Sequence, residues 1–261
     1  MEPLYVIKIG GNIIDDEDKL LSFLREFASL RAHKILVHGG GKLATKMATD
    51  LGLQQQLVEG RRITDTETLK IVTMVYAGLV NKNIVARLQA LKCNAIGLTG
   101  ADGNLVLAHK RKHASIDYGW VGDVDEVNVN LIQSMLHDKQ NLVIAPLTHN
   151  GDGQLLNTNA DTIAQEIAKS MSACFETHLV YSFEKNGVLM NTEDENSVIA
   201  SINPETYRNL KEEKKIFAGM IPKLDNAFEA LRGGVKEVII GKAEKLNELI
   251  QHLSGTTIIH E

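Results

Sequence analysis

A chain of 261 residues with 44% hydrophobic content is long enough to bury a large core without disulfide or metal staples. Its formal net charge of −5 argues against a surface that works by releasing counterions from nucleic acid, so a small-molecule partner is expected. Its two cysteines, Cys93 and Cys174, form no C-x-x-C pair and have no metal-ligand spacing around them, which reads as free thiols in a reducing cytosol.

In chain order, Met1 to Ile9 runs straight into an apolar stretch without a basic leader. No other stretch approaches the ~20 apolar residues of a membrane span, so a soluble cytoplasmic protein with no membrane partner is expected. Leu4 to Ile9 reads as a buried strand ending at Gly10 and Gly11, followed after Asp15-Asp16 by Leu20, Leu24, Phe27 and Leu30 at helical spacing. The pattern then repeats. Ile35-Leu36-Val37-His38 enters Gly39-Gly40-Gly41, and Ala44, Met47, Ala48 and Leu51 leave it. Two such units predict parallel pairing with both glycine turns on one sheet edge, making Lys8, Gly10, Gly11 and Gly39 to Gly41 neighbours. Glycines there let backbone N–H groups approach an anion, and the helix start adds roughly half a positive charge. The alternative is a βα turn that needs only conformational freedom.

Glu59-Gly60-Arg61-Arg62-Ile63-Thr64 reads as a hairpin or lid, with Thr64 or Asp65 capping a helix that continues to about Leu91 and breaks at Gly78. Asn94 to Thr99 is a further strand, closed by the turn Gly100-Ala101-Asp102-Gly103. The basic run His109 to His113 reads as a solvated hairpin tip; zinc is excluded for want of a glutamate between the histidines and a third ligand. Leu142 to Leu147 is the next buried strand, and Asn157-Thr158-Asn159-Ala160-Asp161 opens a helix faced by Ile163, Ile167 and Met171. Leu179 to Tyr181, Val238 to Ile240 and Thr257 to Ile259 supply later strands. No repeat or proline-rich linker divides the chain, so two lobes, 1–173 and 174–261, would share one continuous sheet across a soft boundary.

Three charged residues stand out chemically. Lys8 sits in an apolar strand just before two glycines, where it either faces solvent on an edge or reaches over the crevice at the strand's carboxyl end. Lys223 follows Gly219-Met220-Ile221-Pro222 in a helix's first turn, against the macrodipole unless an anion is near; otherwise it extends into water. Asp161 suits a first turn with or without a function. Two lysines and an aspartate around a glycine cradle equip a site for phosphoryl transfer, which needs charge compensation and in-line positioning. Leu43 after Gly41-Lys42 rules out a Walker A motif, and no G-x-G-x-x-G follows a strand. No protein-kinase catalytic loop is present either. That leans toward an acceptor already ionised, such as a carboxylate, which requires no general base.

Lys8-Ile-Gly-Gly11, His38-Gly-Gly-Gly41, Arg62-Ile-Thr64, Gly97-Leu-Thr-Gly-Ala-Asp-Gly103, Val121-Gly-Asp-Val124, Asn157-Thr-Asn-Ala-Asp161 and Gly219-Met-Ile-Pro-Lys223, in this order, resemble the amino-acid kinase family. Within it they are similar to the branch that acts on N-acylated glutamate in arginine biosynthesis. The resemblance implies an α/β fold, a three-layer αβα sandwich around a mainly parallel open sheet of about eight strands. The lobe 1–173 would bind the acyl-amino acid and form a homodimer, and the lobe 174–261 would bind ATP. The implied reaction moves the γ-phosphoryl of MgATP to the side-chain carboxylate of N-acetyl- or N-succinyl-glutamate. Acylation matters because a free γ-glutamyl phosphate cyclises through its own amine.

By position, the resemblance makes Lys8 and Lys223 neutralise the transferring phosphoryl and the leaving ADP, with Asp161 holding both lysines. Gly40, Gly41, Arg62, Asn157 and Asn159 would contact the acyl-amino acid, and Gly10, Gly11, Gly39, Ser182 and Gly187 the nucleotide. Gly11 and Gly40 would each turn a backbone N–H toward the phosphoryl. Magnesium would be held mainly by phosphates and water, and no protein ligand is assigned to it. The loop Ser182-Phe183-Glu184-Lys185-Asn186-Gly187 departs from the family's Ser/Thr-Asp-Val-x-Gly, and Arg61 stands where relatives carry an apolar residue. Relatives that form arginine-inhibited hexamers assemble through an N-terminal helix absent here, so a homodimer without that control is expected. A non-catalytic nucleotide or amino-acid sensor on the same fold is the competing class, and another carboxylate or phosphate kinase the nearer rival.

Overall fold

A computed structural model describes residues 1–58, 61–191, 193–213, 215–216 and 220–260. The expectations placed on Glu59, Gly60, Gly219 and the Arg61 side chain lie outside the described residues.

Strand β1 (Pro3–Ile9) leads through a short turn of helix, α1 (Gly11–Ile14), into α2 (Glu17–Ser29), whose first turn is capped by the Asp16 carboxylate accepting from the Lys19 N–H at 3.1 Å. The unit repeats as β2 (His33–His38) and α3 (Gly41–Asp50). An antiparallel pair, β3 (Leu57–Val58) and β4 (Arg61–Arg62), precedes α4 (Thr66–Val72), which continues through a π-helical stretch, Thr73–Val80, into α5 (Asn81–Ala90). Next come β5 (Ala95–Leu98), β6 (Val106–Lys110), β7 (Gly122–Val127), α6 (Val129–His137), β8 (Asn141–Ile144), β9 (Leu147–His149), β10 (Leu155–Asn157) and α7 (Ala160–Met171). The chain ends with β11 (Glu176–Phe183), β12 (Ser201–Ile202), α8 (Pro204–Glu212), α9 (Ile221–Arg232), β13 (Glu237–Lys242), α10 (Leu246–Ile250) and β14 (Thr256–Ile258).

Eight strands form the main sheet in the order β12-β14-β13-β11-β1-β2-β8-β5, every neighbouring pair parallel except β13 with β14. The expected αβα sandwich is therefore present. The strands after residue 173 lie on one side of β1 and the earlier ones on the other, in one unbroken ladder.

The period-2 alternation of β1 decides which residues meet above the sheet. Leu4 and Val6 pack with Ile132 of α6, Ile163 of α7 and Leu224 of α9, while Ile7 and Ile9 pack on the opposite face with Phe23 of α2, Ala44 of α3 and Ile84 of α5. All are fully buried, and each of the larger side chains is worth ~1.5–3 kcal/mol relative to exposure. Lys8 shares the face of Leu4 and Val6, so its ammonium rises toward α7 and α9. On β2 the same count puts His38 with Leu36, toward α5.

Three expectations need correction. The strand expected over Leu142 to Leu147 is two: β8 ends at Ile144, and beyond Pro146 the chain enters a second, four-stranded sheet, β10-β9-β6-β7. Proline has no N–H to continue a central ladder, which is why the main sheet is left there. Gly78 does not break its helix, because its missing side chain faces open space while Val75, Tyr76 and Val80 around it are buried. That helix, Thr66–Ala90, is by length and composition alone apolar enough to cross a membrane, although none was expected from the sequence. Val72, Val75, Ile84 and Leu88 spend its apolar face on the core.

Candidate active site

The two glycine turns meet as expected at the carboxyl ends of β1 and β2. A Cβ built on Gly39 would sit 3.9 Å from both the Gly11 nitrogen and the Ile9 carbonyl, and the Gly10 N–H donates to the Ser182 carbonyl at 3.3 Å. Gly40 is the helix cap of α3, with φ 153°, a conformation few side chains tolerate. A Cβ there would also lie 2.9 Å from the Tyr76 ring. The first four N–H groups of α3 have no partner inside the helix, so the turn presents donors and the positive end of a dipole to the crevice.

Above this turn Lys8 reaches α7, its Nζ 2.7 Å from Asp161 Oδ1. Asp161 is placed by a cap. Asn159 Oδ1 accepts from the Asp161 and Thr162 N–H groups at 2.8 and 3.2 Å, starting the helix with the carboxylate in its first turn. Lys223 comes from the first turn of α9 and lies 4.8 Å from the Phe183 ring centroid. Burial pushes its ammonium below the usual lysine range; the Asp161 carboxylate draws it back up, and the Lys8 ammonium pushes it down again. Lys8, Asp161 and Lys223 are thus one electrostatic group, assembled from β1, α7 and α9.

Beside it opens a cavity of about 380 Å³ lined by Gly40, Gly41, Arg62, Asn157 and Asn159, the five residues assigned to the acyl-amino acid, together with Gly39 and Thr158. Arg62 is 9% exposed. Its guanidinium donates to the Gly41 carbonyl and to Thr45 Oγ1, both at 2.8 Å, and to Gln55 Oε1. A fork held in its plane by three neutral acceptors keeps its full charge for a carboxylate in the cavity. Asn157 is held by donating to Thr64 Oγ1 at 2.9 Å.

Ser182 and Gly187, assigned to the nucleotide, lie outside the lining of this cavity. Ser182 pairs in register with Ile9, so its buried hydroxyl points to the α2–α5 face, opposite Lys8, and has no hydrogen-bond partner among the described residues. Gly187 is packed against β14: a Cβ would come within 2.7 Å of Thr256 Oγ1 and 2.8 Å of Val198 Cγ1.

Sequence reasoning missed Arg111, Tyr76, Thr45 and Gln55. The basic run His109 to His113 is not wholly a solvated tip, since the Arg111 side chain is 13% exposed, lines the cavity and is held by Asp123, with Nε 3.0 Å from Oδ1 and 3.1 Å from Oδ2. Its signal was the carboxylate of Asp123 on the neighbouring strand, readable only once β6 is paired with β7. Among the described residues no three carboxylate, thiol or imidazole groups converge on a metal-sized site. The donors here suit anions.

The model of the Amino acid kinase family matches residues 3–242. The chain is 58% identical over 251 residues to an acetylglutamate kinase of Cytophaga hutchinsonii, covering 96% of this chain and 95% of that one. It is 53% identical over 248 residues to an acetylglutamate kinase of Parabacteroides distasonis, covering 95% and 97%. Among solved structures, N-acetylglutamate synthase from Neisseria gonorrhoeae, complexed with coenzyme A and N-acetyl-glutamate, superposes with a TM-score of 0.83 at 21% identity, over 100% of this chain and 60% of that one. Carbamate kinase from Giardia lamblia bound to AMP-PNP gives 0.70 at 13% identity, over 100% and 99%. At those identities the likeness is one of fold.

Proposed function

Because the chain belongs to the amino acid kinase family, we infer from its site and its nearly full-length likeness to acetylglutamate kinases that it is an ATP-dependent carboxylate kinase. It transfers the γ-phosphoryl of ATP to the side-chain carboxylate of N-acetyl-L-glutamate, giving N-acetyl-L-glutamyl 5-phosphate for arginine biosynthesis. The observation that carries the chemistry is the Lys8–Asp161 ion pair at 2.7 Å, with Lys223 in the same field, over the N-terminus of α3.

Both reactants are anions, and two unit charges 4 Å apart repel by about 1 kcal/mol in water and about 4 kcal/mol at a partly buried site. Lys8 and Lys223 offset that repulsion. Asp161 keeps the two ammonium groups from repelling each other, and leaves one net positive charge for the equatorial oxygens of the transferring phosphoryl. Gly11 and Gly40 add backbone N–H donors that are already aimed and need not reorganise. The acceptor carboxylate, with an ordinary pKa of about 4.3, is ionised at neutral pH and attacks without a base. Arg62 and Asn157 hold the α-carboxylate end, so the side chain of the substrate points along the cavity to the lysines.

The nucleotide would bring magnesium with it, which would supply neutralisation of phosphate charge during transfer; no side chain of this chain is assigned to hold it. The lobe 174–261 takes ATP over the ends of β11 and β13, where Lys223 and Phe183 lie; Gly10, Gly11 and Gly39 face the phosphates. A homodimer in the cytoplasm fits two further features: Met74 and Leu79 are exposed at 53% and 43% on the long helix, and both cysteines are free thiols.

A hydroxylamine trap tests the reading. With MgATP and N-acetyl-L-glutamate the chain is expected to give the hydroxamate, reporting an acyl phosphate directly. N-succinyl-L-glutamate in parallel asks whether Arg111, a second guanidinium on the cavity wall, accepts another carboxylate; the acetyl substrate is expected to react faster. ATP binding with no hydroxamate from either would make the chain a sensor.

A further inference from the structure

We propose that His38 is the positioning residue of the glycine cradle, holding the Gly39 carbonyl so that the Gly40 N–H faces the reacting anions; this rests on the kinase reading above. His38 ends β2 with no exposed surface and belongs to neither the lysine group nor the acceptor cavity.

Its hydrogen bonds fix where its proton sits. Lys82 Nζ, which can only donate, lies 3.1 Å from Asn81 Oδ1, so the Asn81 amide cannot be turned round. Asn81 Nδ2 then donates to the Val143 carbonyl at 3.0 Å and to His38 Nε2 at 3.1 Å. Nε2 is therefore an acceptor, and the ring proton is on Nδ1. That N–H donates to the Gly39 carbonyl at 2.8 Å.

A trans peptide ties the two ends of this bond together. The C=O of Gly39 and the N–H of Gly40 belong to one plane and point opposite ways. Fixing the carbonyl on the α5 side sends the N–H to the other side of the turn, toward the cavity that Gly39, Gly40 and Gly41 line. A peptide between two glycines has little steric preference of its own and flips readily unless something holds it. The chain Lys82–Asn81–His38 holds it. Gly97 belongs to the same arrangement, since a Cβ there would fall 1.9 Å from Asn81 Oδ1. Burial pushes the His38 imidazole down to about 4, so at neutral pH it is an uncharged donor and not a base.

Asparagine and glutamine separate the two ring nitrogens. In H38N an amide N–H stands near the Nδ1 position and can still donate to Gly39; in H38Q the amide stands near Nε2, keeping Asn81 and losing Gly39. Each variant breaks one bond of the chain, so similar melting temperatures are expected. The expected split is in kcat: H38Q falls about 10- to 100-fold, as for a lost oxyanion donor, and H38N runs about tenfold faster than H38Q with a similar KM for MgATP. Equal kcat in the two variants, or losses that follow melting temperature, would overturn the proposal. Independently of turnover, ¹⁵N resonances of the unmutated chain are expected to show His38 as the Nδ1–H tautomer. An Nε2–H tautomer removes the lock on Gly39 even if hydroxamate is trapped; an inactive unmutated chain ends the kinase reading, and with it the catalytic role of the cradle.

Discussion

The Lys8 ammonium and the Asp161 carboxylate meet at 2.7 Å, tying the end of a central strand to the first turn of the helix that packs across it. With side chains 17% and 30% exposed, the pair is neither dry nor fully solvated, and its worth lies in orientation more than in stability. It aims one ammonium, and the same carboxylate draws the pKa of a second, Lys223, upward against its burial.

Lys8→Ala should therefore leave the fold intact and ATP binding nearly unchanged, while kcat drops by about 10²–10³, the range for removing one preorganised charge-stabilising donor. Titration calorimetry with nucleotide beside the hydroxamate assay separates the two. Loss of both together would place Lys8 in ground-state binding.

Lys223 gives the pH dependence. Burial lowers its pKa, and it must be protonated to act, so activity should be present below that lowered pKa and fall as pH rises through it, earlier than an ordinary lysine would allow. Asp161→Asn removes the charge that draws Lys223 upward, so the alkaline limb of kcat should move to lower pH while kcat itself falls. A limb that stays in place would show that another group sets it.

The glycine at position 40 should resist even the smallest side chain. Gly40→Ala forces a Cβ into φ 153° and against the Tyr76 ring, at a cost of about 1–3 kcal/mol for the backbone alone. Activity should be lost with stability. Tyr76→Ala empties a core position and by itself costs about 3–5 kcal/mol, so the double variant should lose less than the sum of the two single losses, and thermal melts of the three variants measure that difference.

Arg62→Lys keeps the charge and loses the fork. KM for N-acetyl-L-glutamate should rise about 10- to 100-fold with a smaller change in kcat, because a point charge grips a carboxylate without fixing its plane. An unchanged KM in steady-state kinetics would mean that Arg62 serves only to hold Gly41, Thr45 and Gln55.

Local signals carried most of the site. The repeated strand–glycine–helix spacing places both turns on one edge with Lys8 beside them, whereas the meeting of Lys8 with Asp161 was implied by the family resemblance and is explained by strand parity once β1 stands in its sheet. What escaped depends on long-range pairing. Strands as short as β9 and β10 carry too few residues for alternation to be seen, and a second sheet exists only once Leu147 leaves β8 at Pro146. Arg111 looked like one charge in a basic run because Asp123, which turns it inward, is its neighbour only across β6 and β7. The direction of the Ser182 hydroxyl was equally hidden: the residue stands at a strand's end, and only its pairing with Ile9 shows that the hydroxyl points away from the lysines.

Transfer to a carboxylate leaves an isotopic record. With ¹⁸O in both side-chain carboxylate oxygens of N-acetyl-L-glutamate, attack on the γ-phosphorus makes a C–O–P bridge, and hydroxylamine then cleaves the C–O bond and releases phosphate that keeps the bridging oxygen. Phosphate carrying one ¹⁸O, in step with hydroxamate and abolished in Lys8→Ala, is the result expected. Phosphate released from ATP without ¹⁸O, or no ATP consumed, would contradict the account.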